Sequence, residues 1–201
     1  MKLNKLLCSA AIVCFLFISA IPYSYASCQK SYVIGVAEDA MSVVENMYDE
    51  HEYAANLAKN ANLPKLNDLS DQQRANVIMR IQSSDISVAK TLTEHVQQIS
   101  RFIQKLDSAI DDIDDAMEDT ERYGSKFSRL KSECPQQAEV LFRGEILIRD
   151  SVGEIYDGSE RLKKYRSYVY QELMKYKSLF DTAGVDFQSV KNGQWLRSMQ
   201  P

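Results

Sequence analysis

Histidines and nucleophiles are the first places to look for chemistry in this chain, and few are available. The two histidines are His51 and His95. A helical di-metal site needs a glutamate three residues before each histidine, but these positions hold Tyr48 and Leu92. No nucleophile motif surrounds either histidine, and the sequence has no glycine-rich phosphate-binding loop. We therefore expect no catalytic residue, no metal and no cofactor, and we favour a protein that is not an enzyme.

An acidic run between residues 107 and 121 is a second candidate. It contains no basic residue, and its members are Asp107, Asp111, Asp112, Asp114, Asp115, Glu118, Asp119 and Glu121. A calcium loop would need alternating ligands and a turn glycine, whereas Ile113 and Met117 here keep a helical spacing. All the acids fall outside the apolar positions, so a solvated helix face is one interpretation. The other is a docking surface for a basic partner, for which we select Asp111, Asp112, Asp115 and Glu118.

Basic and aromatic residues alternate in the region 161–177. They are Arg161, Lys163, Lys164, Arg166, Lys175 and Lys177, with Tyr165, Tyr168, Tyr170 and Tyr176. Such alternation can bind nucleic acid, sugars or lipid head groups. We expect no nucleic acid partner, because a net charge of -4 and a pI near 5.3 give no general attraction to nucleic acid. We expect either an intramolecular role, in which tyrosine tips and lysine stems cover the bundle, or a partner surface made by Lys163, Lys164 and Tyr168.

Three further residues are distinguished by their positions. Glu145 and Arg166 occupy apolar heptad positions of the last long helix, and a charge inside a core needs a partner or a ligand. A cavity lined by both would favour an enzyme, and a filled seam would favour a binding protein. The lone tryptophan, Trp195, lies in a tail over 185–201, where it either packs on the end of the bundle or serves as a recognition residue.

Long helices must position these residues. From Ala89 to Met117 the apolar positions step by three and four in alternation, which indicates a helix packed along a narrow seam. This helix ends near Cys134-Pro135, because proline disfavours helical conformation in the preceding residue. A second heptad pattern runs from Ala138 to Phe180, and Thr182-Ala183-Gly184 predicts its C-terminal cap.

The region before residue 85 predicts a further leg with an interruption. A small-residue face from Val33 to Ala61 marks one helix, which ends at Asn62-Leu63-Pro64. Ser70-Asp71-Gln72-Gln73 has the order of a capping box and starts a short helix. Ser83-Ser84-Asp85 indicates a turn, although no glycine or proline forces a break there. The alternative is one continuous helix over 71–133.

The cysteines of the mature chain distinguish these two topologies. With a turn near Ser84, three legs of similar length result, namely 28–83, 85–133 and 136–180. Cys28 and Cys134 then fall at the same end, whereas a continuous helix would carry Cys134 about 45 Å past Cys28. A disulfide requires Cα atoms within roughly 7 Å. We therefore predict an all-α up-down-up bundle of long, heptad-patterned helices that contains a Cys28–Cys134 disulfide.

The N-terminus has the order of a secretory signal peptide. A short basic start precedes an uncharged run from Leu6 to Ile21, and small residues at Ser24 and Ala26 place the cleavage site before Ser27. An uncleaved membrane anchor is disfavoured, because the run is shorter than the roughly 20 residues of a membrane span. A lipoprotein signal that ends at Cys28 is the other, less favoured alternative.

These expectations give one organisation and one function. We expect a signal peptide over 1–26, a helical bundle over 27–184 and a tail over 185–201. The protein is expected to be periplasmic or secreted, with no transmembrane span once the signal is removed. It is expected to act through contacts with a protein partner that the sequence does not identify, or with copies of itself. The alternative is a small all-α periplasmic enzyme or cofactor carrier.

Overall fold

The structure, a computed structural model, describes residues 28–66 and 69–199. Within these ranges 87% of the residues are helical and none lies in a β-strand. The same ranges hold six α-helices, and a 3₁₀ turn at Pro135–Gln137 separates the third from the fourth. The helices are α1 (Lys30–Lys59), α2 (Asp71–Gln82), α3 (Ile86–Glu133), α4 (Ala138–Thr182), α5 (Phe187–Lys191) and α6 (Gln194–Ser198).

The prediction of an all-α helical bundle is confirmed. The predicted signal peptide over 1–26 and the predicted mature N-terminus at Ser27 lie outside the described residues. None of the described helices is both long enough and apolar enough to cross a membrane. The described residues divide into two compact units, of which the first comprises residues 28–53 and 110–160 and the second comprises residues 54–66, 69–109 and 161–199.

In the first unit, α1 and α4 run in the same direction. Cys28 precedes α1 and Cys134 precedes α4, and the structure joins them as a disulfide with a Cα–Cα distance of 5.7 Å. Further along both helices, the Tyr48 hydroxyl donates to Glu154 Oε2 at 3.0 Å. The disulfide therefore lies where the sequence placed it, at a shared end of two parallel legs.

The third leg of the first unit, α3, runs antiparallel to α4. The Ser159 hydroxyl on α4 donates to Asp114 Oδ1 on α3 at 3.3 Å, and Gly144 on α4 lies against the ring of Phe127 on α3. The three legs bury one apolar core, made of Val33, Val36, Ala40, Val44, Phe127, Leu130, Cys134, Leu141 and Ile148. This order of directions is the predicted up-down-up arrangement.

The second unit repeats these directions. His95 Nδ1 on α3 lies 3.1 Å from the Tyr176 hydroxyl on α4, and Asp107 on α3 accepts from Arg166 on α4, so these helices are antiparallel. The first leg runs parallel to α4. Lys65 Nζ lies 6.0 Å from the ring centroid of Tyr168, and further along both legs Arg74 donates to the Ser178 hydroxyl at 3.2 Å. The apolar core of this unit includes Val96, Ile99, Leu106, Val169, Leu173, Tyr176, Leu179 and Phe180.

A tight turn at Ser83-Ser84-Asp85 separates α2 from α3, as the bundle topology required. Ser84 adopts a left-handed conformation with φ 56°. The Ser84 amide donates to Ile81 O at 3.1 Å and the Asp85 amide donates to Arg80 O at 3.0 Å, which is the hydrogen-bond pattern of a Schellman motif. The continuous helix over 71–133 is therefore excluded.

Asp85 then starts α3 as its N-cap. Its Oδ1 accepts from the amides of Ser87 at 3.0 Å and Val88 at 3.2 Å, and its Oδ2 pairs with Arg80 Nη2 at 2.8 Å. The Arg80 hydrogen bond, followed by the backbone amide of Val88, lowers the pKa of the Asp85 carboxyl. One carboxylate thus caps α3 and bonds to the end of α2.

The other helix boundaries also follow their local sequence. Ser70 and Gln73 form the predicted capping box at the start of α2. At the end of α4, Gly184 adopts φ 77°, and the Val185 amide donates to Phe180 O at 2.9 Å. Asp186 caps α5 through hydrogen bonds to the amides of residues 188 and 189.

Candidate functional site

The first unit carries an exposed acidic surface, which we define as the side chains of Asp111, Asp112, Asp115 and Glu118. Ile113 and Met117, at intervening positions of α3, are buried, so helical phase points the carboxylates outward. Glu118 pairs with Arg122 at 2.7 Å. The three aspartates of the surface have no ion-pair partner among the described residues. Their charges are therefore not neutralised by a neighbouring base within the described chain.

The basic and aromatic residues selected on α4 belong to the second unit. Lys164 and Tyr168 are exposed, and Lys163 is half-buried. Tyr168 stacks on Tyr165 with ring centroids 6.5 Å apart, and Tyr165 meets the ring of Phe102 edge-on at 6.2 Å. These tyrosines therefore cover part of the bundle, and Tyr168 remains 44% exposed.

The prediction that Glu145 and Arg166 are buried charges is wrong for both residues. Glu145 pairs with Lys131 at 2.7 Å, and the two side chains are 33% and 32% exposed. Arg166 donates to both carboxylate oxygens of Asp107 and is 45% exposed. Their aliphatic stems can cover the seam while the charged ends reach partners at its edge. Neither residue therefore requires a ligand.

Among the described residues of the second unit, the charged side chain that is buried is instead Glu172, which is only 8% exposed. Lys175 donates to its Oε1 at 2.8 Å, while Oε2 is buried without a hydrogen-bond partner in the described structure. The sequence carried one signal for this residue. Tyr165, Val169, Glu172 and Tyr176 are spaced by four, three and four, so Glu172 continues a stripe of apolar and aromatic residues.

A cleft of about 250 Å³ opens beside Glu172 in the second unit. One wall is the loop between α1 and α2, including Pro64 and Lys65, and the other wall is α4, with Tyr165, Tyr168 and Glu172. The loop is held by Asn62, whose carbonyl accepts from the Gln98 side chain at 2.9 Å. The connector that contains Pro64 therefore lines a cleft and also joins α1 to α2.

Four residues after Glu172 on α4, Tyr176 is fully buried. Burial, followed by the negative charge of Glu172, raises the pKa of Tyr176 to about 12. The phenol therefore stays protonated at neutral pH, and its oxygen lies 3.1 Å from His95 Nδ1.

Among the described residues, no group of three or more histidine, cysteine, aspartate and glutamate side chains is arranged to hold a metal ion.

Within the second unit, the tail of the chain packs against the end of α4. Trp195 meets the ring of Phe180 edge-on, with centroids 5.2 Å apart, and Phe187 lies 6.2 Å from the same ring. Phe187 and Val190 are buried. Of the two roles considered for Trp195, its contact with Phe180 fits packing on the bundle.

No protein-family model, curated protein or solved structure matches this chain.

Proposed function

We propose that this chain is an exported helical bundle that acts by binding a basic protein partner through the acidic surface of α3. The observation that carries the proposal is the set of three aspartates, Asp111, Asp112 and Asp115, which are exposed and lack an ion-pair partner in the described chain. Clustered charge of one sign on a rigid helix steers and orients a partner of opposite charge.

The partner is expected to be a different protein rather than a second copy of this one. A symmetric dimer through the acidic surface would place like charges opposite one another, and such contacts are unfavourable. Salt should weaken the interaction, because screening reduces attraction between exposed charges.

Export is supported by the order of residues 1–26 and by the Cys28–Cys134 pair, since disulfides persist in oxidising compartments. We expect a mature chain that begins at Ser27. Intact-mass measurement of the protein from its native host tests this. A mass that includes residues 1–26, or a diacylglycerol on Cys28, would replace this proposal with a membrane-attached form.

The acidic surface is tested with a triple variant, Asp111→Asn, Asp112→Asn and Asp115→Asn. A matched control neutralises three exposed acids of α1 in the same unit, Glu38→Gln, Asp39→Asn and Asp49→Asn, so both variants change the net charge equally. In capture from the native envelope, we expect the control to retain the partner that the wild type binds and the α3 variant to lose it. Equal retention by both variants would contradict the proposal.

For the alternative of a small all-α periplasmic enzyme or cofactor carrier, Glu145 and Arg166 were the first candidate site residues. Each of these has an ion-pair partner at the edge of the seam, so neither provides the unpaired buried charge that this alternative used. These two residues therefore give no support to an enzyme or cofactor carrier.

A further inference from the structure

Glu172 lines the cleft of the second unit, and one of its carboxylate oxygens is buried without a hydrogen-bond partner in the described structure. Glu172 is more than nine-tenths buried, and Lys175 satisfies only Oε1. Oε2 has no donor in the described structure. An unpaired buried carboxylate oxygen is unfavourable, and an added N–H donor would relieve that cost. The cleft therefore favours a ligand that brings a hydrogen-bond donor, and a positively charged donor above all.

The aromatic wall fits the same chemistry. Tyr165 and Tyr168 are stacked with an interplanar angle of 25°, and they supply a flat apolar surface next to Glu172. Lys65 Nζ lies 6.0 Å from the centroid of Tyr168. The chain itself thus places an alkylammonium group over this ring, which is the geometry of a cation–π interaction.

We propose that the cleft binds a primary amine with an apolar body, whose ammonium group donates to Glu172 and whose body lies against Tyr165 and Tyr168. Lys65 competes with this ligand, because its own ammonium group occupies the face of Tyr168. The site shares no residue with the acidic surface of α3, so this proposal stands or fails independently of the protein-binding function.

The test uses 2-phenylethylamine as the probe, titrated into the purified protein by isothermal titration calorimetry. The ring of this amine can pack on the tyrosines while its ammonium group reaches the carboxylate. 3-Phenylpropionate is the anionic control of similar shape. We expect the amine to bind and the anion not to bind, because Glu172 repels a second carboxylate.

Two variants make the expected result specific. Glu172→Gln keeps the side-chain shape and removes the charge, and it should weaken amine binding by at least about tenfold. Lys65→Met keeps the length of the stem and removes the competing cation, and it should strengthen binding by about threefold. Circular dichroism melting of both variants verifies that each is folded at the temperature of the titration.

Three results would overturn the proposal. They are the absence of amine binding to the wild type, equal amine affinity of the wild type and Glu172→Gln, and weaker binding by Lys65→Met. The last result would mean that Lys65 supports the cleft structurally and does not compete with the amine for the face of Tyr168.

Discussion

Gly158 on α4 lies directly against the imidazole of His51 on α1. A Cβ atom added to Gly158 would lie 2.1 Å from His51 Nε2 and 2.9 Å from two carbons of the same ring. Because Gly158 has no side chain, the His51 ring can fill the space beside it. This contact accounts for a glycine within a long helix, and it gives His51 a packing role between two parallel legs of the first unit.

This contact predicts opposite effects for two glycine-to-alanine substitutions on α4. Gly153 has no atom within 4 Å of an added Cβ, so Gly153→Ala should stabilise the protein by about 0.5–1 kcal/mol through helix propensity. Gly158→Ala should instead destabilise it, because the imidazole must leave its position. Urea unfolding monitored by circular dichroism measures both free energies.

A double-variant cycle identifies the cause of the Gly158→Ala effect. His51→Ala frees the space beside residue 158, so adding Gly158→Ala in that background should stabilise the protein. Destabilisation of the same size with and without His51 would contradict the contact.

The turn between α2 and α3 should gain stability from glycine at one position only. Ser84 has φ 56°, a conformation that is unfavourable for residues with a Cβ atom, so Ser84→Gly should stabilise the protein by about 1 kcal/mol. Ser83 has φ -79°, and Ser83→Gly is the control that should not stabilise. Thermal unfolding of the two variants distinguishes them, and a lower melting temperature for Ser84→Gly would count against the left-handed turn.

Removal of the disulfide should lower stability without changing the fold. Cys28 and Cys134 are 106 residues apart in sequence, and in the chain-entropy account a cross-link of this span is worth about 4–5 kcal/mol, less any native strain. We expect Cys28→Ser with Cys134→Ser to lower the free energy of unfolding while helix content at room temperature is retained. Peptide mapping without reductant should recover one peptide pair that contains both cysteines, and free thiols at both positions would refute the bond.

Alkaline pH should destabilise the protein through Tyr176. The pKa of Tyr176 is raised from 10.0 to about 12, so the folded state holds this proton more tightly than the unfolded state. The resulting stability is complete below pH 10 and is lost as the pH rises from 10 to 12. Tyr176→Phe should therefore reduce the fall in unfolding free energy across this interval. An unchanged pH dependence would show that Tyr176 titrates normally.

Much of the fold was predictable because its determinants are local in sequence. Pro135 closely follows the end of α3 at Glu133, and Ser70 caps α2 with its own side chain. The heptad spacing identified the buried face of α3, including Ile113. The disulfide then supplied the one long-range distance needed to select the topology.

The charged residues of the candidate sites were less predictable, for a physical reason. A heptad position fixes where a side chain starts, but a long side chain can carry its charge to the edge of the seam, as Glu145 and Arg166 do. Glu172 is the opposite case, since it lies outside the assigned seam and still becomes buried. The cleft beside it is walled by a loop around Pro64, more than 100 residues earlier in the chain, so its surroundings depend on tertiary packing.

The disulfide also gives the chain the connectivity of a ring with a branch. The bond between Cys28 and Cys134 closes residues 28–134 into a covalent loop, and everything after Cys134 extends from it as a single arm. One protease cut in the connector between α1 and α2 opens this ring but leaves both pieces covalently attached. A cut in α4 releases a free C-terminal fragment. Electrophoresis with and without reductant therefore reports, from the number of bands, which of these two segments was cleaved.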